Sequence, residues 1–316
     1  MKRKQSGFKI MMRLIKLVKP LAFFMVLAVI LGVTGFLCAI QITVLGSMTL
    51  LTAAGINGGL AIKTGCICII IFAVLRGFLH YGEQACNHYI AFKLLALIRD
   101  KVFKSLRRLT PAKLEGKDKG NLISLITSDI ELLEVFYAHT ISPICIAFLT
   151  SLVMLIFIGR YSSWLMLVAL AAYITVGIII PLASSKFNKN IGMTYRENSG
   201  ALSGYVLDSM RGLLESIRYN STDIRLNEMN EKTDELNSLQ KKLKKIEGRN
   251  ISITDISIIF FSITMLLVAI CLYQKGTIGF DGLIVSTVAM MSSFGPVAAL
   301  SNLAGNLTHT LASGER

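Results

Sequence analysis

The sequence predicts an all-α membrane protein, with six transmembrane helices and long cytoplasmic helical extensions. Three observations carry this. Apolar residues make up 53% of the 316-residue chain and charged ones only 16%, with a mean hydropathy of +0.61. Near-uncharged runs long enough to cross a bilayer recur along the chain. Between them, two connections of about 60 residues keep the apolar spacing of helices instead of the Gly/Pro chemistry of loops.

In chain order, residues 1–20 form a basic N-terminal segment. Together with the apolar residues after it, this segment resembles a signal peptide. The apolar run from Leu21 to Leu45 is longer than such a signal's core, however, and lacks a clear cleavage site, so it is expected to stay as the first span. Spans are expected near 21–51, 61–82, 141–159, 162–183, 251–273 and 278–300. Three connections are short: "AAGINGG" between the first two spans, "GRYSS" between the third and fourth, and "QKGTIG" between the fifth and sixth. The six cysteines form neither a CxxC pair nor a zinc-spaced cluster with histidine, and read as small apolar residues in helices.

Orientation follows from the cations. Lys and Arg number 7 up to Lys19, 9 in the 83–140 connection and 12 in the 184–250 connection, whereas each short connection has one: Lys63, Arg160 and Lys275. By the positive-inside rule both termini and both long connections face the cytoplasm of a plasma (inner) membrane. The net charge of +14 is thus a topology signal and not a footprint for nucleic acid, and membrane lipid is the expected surrounding.

The long connections read as rigid. "YIAFKLLALIRDKVFKSLRRL", Tyr89 to Leu109, contains neither Gly nor Pro, and Pro111 ends the pattern. "NEMNEKTDELNSLQKKLKKIEGRN" adds charge pairs three and four residues apart. About 25 residues of such helix extend roughly 37 Å at 1.5 Å per residue, which suits a machine driven from the cytosol.

Specific residues sharpen the reading. The stretch "IRDKVFKSLRRLTPAKLEGKDKGNLISLITSDIELLEVFYAHTISP" contains Arg99, Leu109, Pro111, Gly120, Leu122, Asp129, Ile130, Leu133, Glu134, Ile141, Ser142 and Pro143, and "LDSMRGLLESIRYN" contains Gly212 and Glu215. Both resemble the membrane domain of exporter-type ABC transporters. The resemblance implies a six-helix transmembrane domain over 21–312, with 313–316 as the start of a linker to an ATPase domain. It also implies that the tip of each long connection is a short coupling helix docking on that ATPase. The first tip would be Pro111 to Lys117, including Leu114, and the second Leu213 to Asn220, including Leu214 and Glu215.

Within that family, "RGFLHYGEQACNHYIAFKLLALIRD" resembles the signature of CydC/CydD-type thiol half-transporters through Arg76, Tyr81, Glu83, His88, Phe92 and Leu95. It departs from it at His80 and Gln84, where the signature has Arg. The resemblance implies export of cysteine or glutathione, a second half-transporter forming a heterodimer, and ATP with magnesium in the partner ATPase domain. It also associates the signature histidine, here His88, with haem. The sequence contains no G-x-x-x-x-G-K-[ST] phosphate loop. The chain alone is therefore not expected to hydrolyse ATP, whose domain would be a separate chain or lost by truncation, and no cofactor is expected in the chain itself beyond the haem question. A multidrug or lipid exporter is the rival within transporters. A non-transporting haem- or redox-sensing membrane protein is the rival from another class.

Four residues are expected on the substrate pathway. Arg76 is the one cation deep inside a span, where charge usually faces a cavity or a partner. With His80 and Glu83 it follows a spacing of four and seven, which leaves open a local ion pair or an anion-binding wall. Gln41, Ser292 and Ser293 are polar residues on the first and sixth spans, which usually line the pathway in the family. A single Ser can equally bond back to its own helix. Gly295-Pro296 is expected to kink the sixth span.

Overall fold

A computed structural model describes residues 19–56, 60–109 and 140–315. The described residues contain helices and no strand. A short 3-10 turn, Lys19–Leu21, leads into α1, Ala22–Ala53. Next come α2, Ile62–Leu109, and α3, Ser142–Gly159. The fourth span is α4, Ser163–Ile174, then a π-helical turn, Thr175–Ile179, then α5, Ile180–Arg211. A short helix α6, Leu213–Arg218, precedes α7, Thr222–Gln274, and α8, Phe280–Glu315. Among the described residues, six helical segments are long and apolar enough to cross a membrane.

Local chemistry sets the boundaries. Pro143 opens α3 in its first turn, where a missing N–H costs nothing. Ser162 caps α4 by accepting a hydrogen bond from the Trp164 N–H. Gly55 and Gly276 take positive φ in two of the short connections, a region open to glycine without a Cβ penalty. The helix α2 passes without a break from the apolar run into the polar one because nothing between Gly82 and Leu109 interrupts it.

The chain forms two compact units. One takes in the described residues up to Pro181 together with those from Thr254 onward, and the other is Leu182–Ile253. In the first, the apolar core joins Ile40 and Val44 of α1, Met154 and Ile158 of α3, Leu165 and Ala172 of α4, Met265 and Ala269 of α7, and Met290 and Phe294 of α8. Small residues bring the spans close. A methyl group on Gly32 would clash with Ile146 Cδ1, and one on Gly177, within the π-helical turn, would lie 2.9 Å from Val297 Cγ1. By contrast, α2 packs on α1 and leaves Ile67, Ile70, Ile71, Val74 and Phe78 exposed. Such a face is compatible with lipid or another membrane chain and not with water.

The second unit is an antiparallel helical hairpin laced by polar contacts. Asn250 donates to Ser184 Oγ, Asn198 Nδ2 to Glu235 Oε1 at 2.9 Å, the Tyr205 hydroxyl to Glu228 Oε2 at 2.6 Å, and Arg225 to Ser209 Oγ at 3.3 Å. Each step along one arm is matched by an equal step back along the other, so the register holds to the tip. Lys232 adds a cation over the Tyr205 ring, 5.5 Å from its centroid.

Candidate functional site

The tip of this hairpin is the second expected coupling segment. Gly212 ends the incoming arm, and α6 makes less than two turns before reversing. The reversal is a Schellman closure: the Asn220 N–H bonds Ile217 O at 3.2 Å and the Ser221 N–H bonds Ser216 O at 2.9 Å. Asn220 has φ 50, a conformation Asn tolerates better than most side chains. Ser216 is buried and donates to Gly212 O at 2.8 Å, a back-bond to the helix's own N-cap. The apolar side chains point the other way. Leu214 is 70% exposed and Tyr219 81%, and Leu213, Ile217 and Met210 are also open. Glu215 lies in the first turn of α6, exposed to solvent. This is a rigid knob of uncovered apolar surface, held by a braced hairpin. The first expected tip, with Pro111, Leu114 and Lys117, lies outside the described residues.

The pathway residues separate into different settings. Arg76 on α2 is exposed and forms no ion pair among the described residues. Glu83 is buried, and its partners are His80, whose Nδ1 lies 3.2 Å from Oε2, and Asn87, whose Nδ2 donates to Oε1 at 3.2 Å. The local contact with Glu83 that was open to Arg76 is therefore made by His80 instead. Gln41 on α1 is half-buried. Ser292 is half-buried and donates to the Val288 and Ala289 carbonyls at 2.9 and 3.1 Å, the back-bonding usual for a helical serine. Ser293 is buried and shares a 2.5 Å hydrogen bond with the Tyr173 hydroxyl of α4, while lying 2.7 Å from the Met290 carbonyl. Pro296 lies inside α8.

His88 is exposed and stacks on Phe92, with ring centroids 6.1 Å apart. Among the described residues no group of three or more His, Cys, Asp or Glu could hold a metal ion. Sequence reasoning missed Asn87 and Tyr173, the polar partners of Glu83 and Ser293. A polar residue four positions from an intramembrane carboxylate was the available signal for Asn87. A single Tyr in the run "ALAAYI" carried none.

Among the described residues, six apolar spans and a helical excursion that reverses through a short helix define a multi-pass membrane domain. The family of the ABC transporter transmembrane region matches residues 21–297, and the chain belongs to it. It is 45% identical over 313 residues, 99% of its length, to a "Probable ABC transporter ATP-binding/permease protein" of Haemophilus influenzae. It is also 29% identical over 182 residues to an "ATP-dependent lipid A-core flippase 1" of Colwellia psychrerythraea, covering 56% of this chain and 29% of that protein. Over 107 residues it is 29% identical to the "Glutathione/L-cysteine transport system ATP-binding/permease protein CydC" of Escherichia coli, covering 34% of this chain and 16% of that protein. The chain spans 57% of the length of the Haemophilus influenzae relative.

Proposed function

We propose that this chain is the membrane-spanning part of an ATP-driven exporter that moves thiol compounds such as cysteine or glutathione out of the cytoplasm. The observation that carries the coupling half of this reading is the exposed apolar tip Leu213–Arg218 on a hairpin braced along its length. Uncovered Leu, Ile and Tyr at the end of a stiff lever suit insertion into a groove on a soluble ATPase domain, which would bind ATP and magnesium. The tip formed by Pro111, Leu114 and Lys117 would be its counterpart. A second half-transporter, forming a heterodimer as the CydC- and CydD-named relatives suggest, would complete the pathway.

The thiol substrate rests on the signature residues around Arg76 and on those relatives' names. Glutathione is anionic at neutral pH and needs a cationic contact when it leaves water. Arg76, without an ion-pair partner among the described residues, is available for that contact, with Gln41 and Ser292 as further polar residues proposed for the pathway. ATP-dependent uptake of labelled glutathione or cysteine into everted vesicles containing the complete transporter tests the reading. Uptake equal to that of vesicles lacking the chain overturns it.

A lipid exporter is the second reading. It is favoured by the exposed setting of Arg76 among Val74, Leu75 and Phe78, a single cation on an apolar face that suits an amphiphilic anion, and by the lipid A-core flippase relatives. The haem reading rests on His88 alone, and a haem absorbance band in purified protein tests it.

A further inference from the structure

The long helix α7 separates its charges along its length. From Thr222 to Glu235 it carries five carboxylates and two cations, and from Leu236 to Asn250 five cations and one carboxylate. Ile251 then opens the apolar run of the fifth span, with no break in the helix between them. Half-buried Leu239, Leu243, Ile246 and Asn250, three and four residues apart, mark the face turned to the other arm, and Asn250 bonds Ser184 Oγ there. At about 100° per residue, Lys241, Lys242, Lys245 and Arg249 fall within a sector of about 100°, centred about 120° away from that face. All four are exposed. Lys244, the fifth cation, is taken up by Glu247 at 2.7 Å, whereas the other four make no ion pair among the described residues. The next carboxylate, Asp255, comes six residues past Arg249 and lies about 120° round the helix from it.

From this segregation we infer that Lys241, Lys242, Lys245 and Arg249 bind the headgroups of acidic phospholipids at the membrane surface, with Arg249 and Lys245 holding them most strongly. Along the helix axis Arg249 stands about 3 Å and Lys245 about 9 Å from Ile251, against about 14 Å for Lys242 and 15 Å for Lys241. The screening length is about 8 Å at physiological ionic strength, so a layer of phosphates attracts the nearer pair most. Arg249, the closest, carries the planar fork that grips phosphate through two hydrogen bonds, and the lysines lay their stems toward the surface and keep their ammonium groups wet. A topology signal requires only that cations lie on one side of the membrane. It does not require them to be sorted from the carboxylates of the same arm, or gathered on the one face of that arm that the hairpin leaves uncovered. The lipid is a bound neighbour and not cargo, so the inference stands apart from the choice of transported substrate. The contact anchors the base of this hairpin arm at the surface.

The test uses the full chain without ATP, in vesicles of equal phosphatidylglycerol and phosphatidylcholine. A photoreactive residue replaces Ser252, which is exposed and continues the cationic sector one residue into the apolar run. Mass spectrometry of the adducts gives the ratio of the two lipids at that place. Phosphatidylglycerol should be enriched severalfold over the bulk ratio, and the enrichment should fall as salt is raised. A photoreactive residue at exposed Ile70 of α2, far from the cluster in sequence, should report the bulk ratio. Neutralising Lys245 and Arg249 to Gln should remove most of the enrichment, and neutralising Lys241 and Lys242 a smaller part. All four changes are on exposed side chains, so the protein should accumulate normally. Association of spin-labelled phosphatidylglycerol with protein lacking the photoreactive residue is the second measure, and it should weaken in the same order. Phosphatidylglycerol at the bulk ratio beside residue 252, or an enrichment and a spin-label association that both survive loss of all four cations, overturns the inference. So do adducts to protein in place of lipid, which would assign this face to another chain.

Discussion

The Tyr173 hydroxyl and Ser293 Oγ meet at 2.5 Å, 120 residues apart in sequence and both buried, linking the fourth span to the sixth. Phe294 packs edge-on against the same tyrosine ring at 5.9 Å. A polar pair in an apolar layer fixes the rotational register of two helices that apolar contacts alone would leave loosely specified. Ser293, expected on the substrate pathway from its span, is occupied in this contact.

Tyr173→Phe is accordingly expected to keep the ring packing and lose the hydroxyl link. A double-mutant cycle with Ser293→Ala should give a coupling of about 0.6 kcal/mol, the usual size for interhelical hydrogen bonds in membranes. Unfolding of the full chain in mixed micelles measures it. Additive effects of the two substitutions would mean that the contact contributes nothing to stability.

The hairpin makes a pH prediction. The Tyr205 phenol donates to the Glu228 carboxylate, which raises its pKa above the ordinary value of 10.0, with desolvation a smaller cause. A raised pKa means that the contact's contribution is complete below the unfolded value and disappears as pH rises through the folded one. Helicity of the 182–253 unit should therefore be flat through neutral pH and begin to fall only above about pH 10. Tyr205→Phe should lack that component. Circular dichroism across the alkaline range distinguishes the two proteins.

At the tip, form and coupling can be separated. Asn220→Gly fits the positive φ and should leave stability unchanged or raise it by up to about 1 kcal/mol, with transport intact. Leu214→Asp changes an exposed side chain, so folding should persist while ATP-driven uptake falls at least about tenfold, equivalent to roughly 1.4 kcal/mol of docking energy. Uptake at the wild-type rate in a well-expressed Leu214→Asp protein would remove α6 from the coupling interface.

Much of this architecture was legible in the sequence, for a simple reason. Hydrocarbon demands long uninterrupted apolar runs, and six such runs were present at the places where α1 to α4, α7 and α8 cross. The absence of Gly and Pro from Tyr89 to Leu109 likewise announced that α2 would continue past its apolar part. Side-chain partnerships were not legible. Spacing put Arg76, His80 and Glu83 on a common stripe, yet α1 covers only Glu83, leaving the other two open. The π-helical turn at Thr175–Ile179 has no local signature either. It places Gly177 against Val297, a relation set by a helix more than 100 residues away.

Orientation gives a prediction independent of substrate. Single cysteines introduced at Lys275, in the short connection between α7 and α8, should react with an impermeant reagent from outside. Those at Lys244 and Lys117, in the cation-rich connections, should react only after permeabilisation. Labelling of Lys117 from outside would break the six-span topology.

Arg76 supplies the last prediction. Its exposure and lack of an ion-pair partner among the described residues mean that its removal should leave folding alone, unlike the removal of a buried charge partner. Arg76→Lys keeps the charge but loses the planar fork that grips a carboxylate through two hydrogen bonds, so thiol uptake should fall partially. Arg76→Gln loses the charge as well and should fall further, by about tenfold or more. Uptake of labelled glutathione into everted vesicles, normalised to the amount of transporter present, is the measurement. A well-expressed Arg76→Gln transporter with normal thiol uptake would take Arg76 out of the pathway. A phospholipid-flipping assay on the same variant then separates the two substrate readings, because an amphiphilic anion held by Arg76 on an apolar face should lose its headgroup contact where glutathione loses nothing.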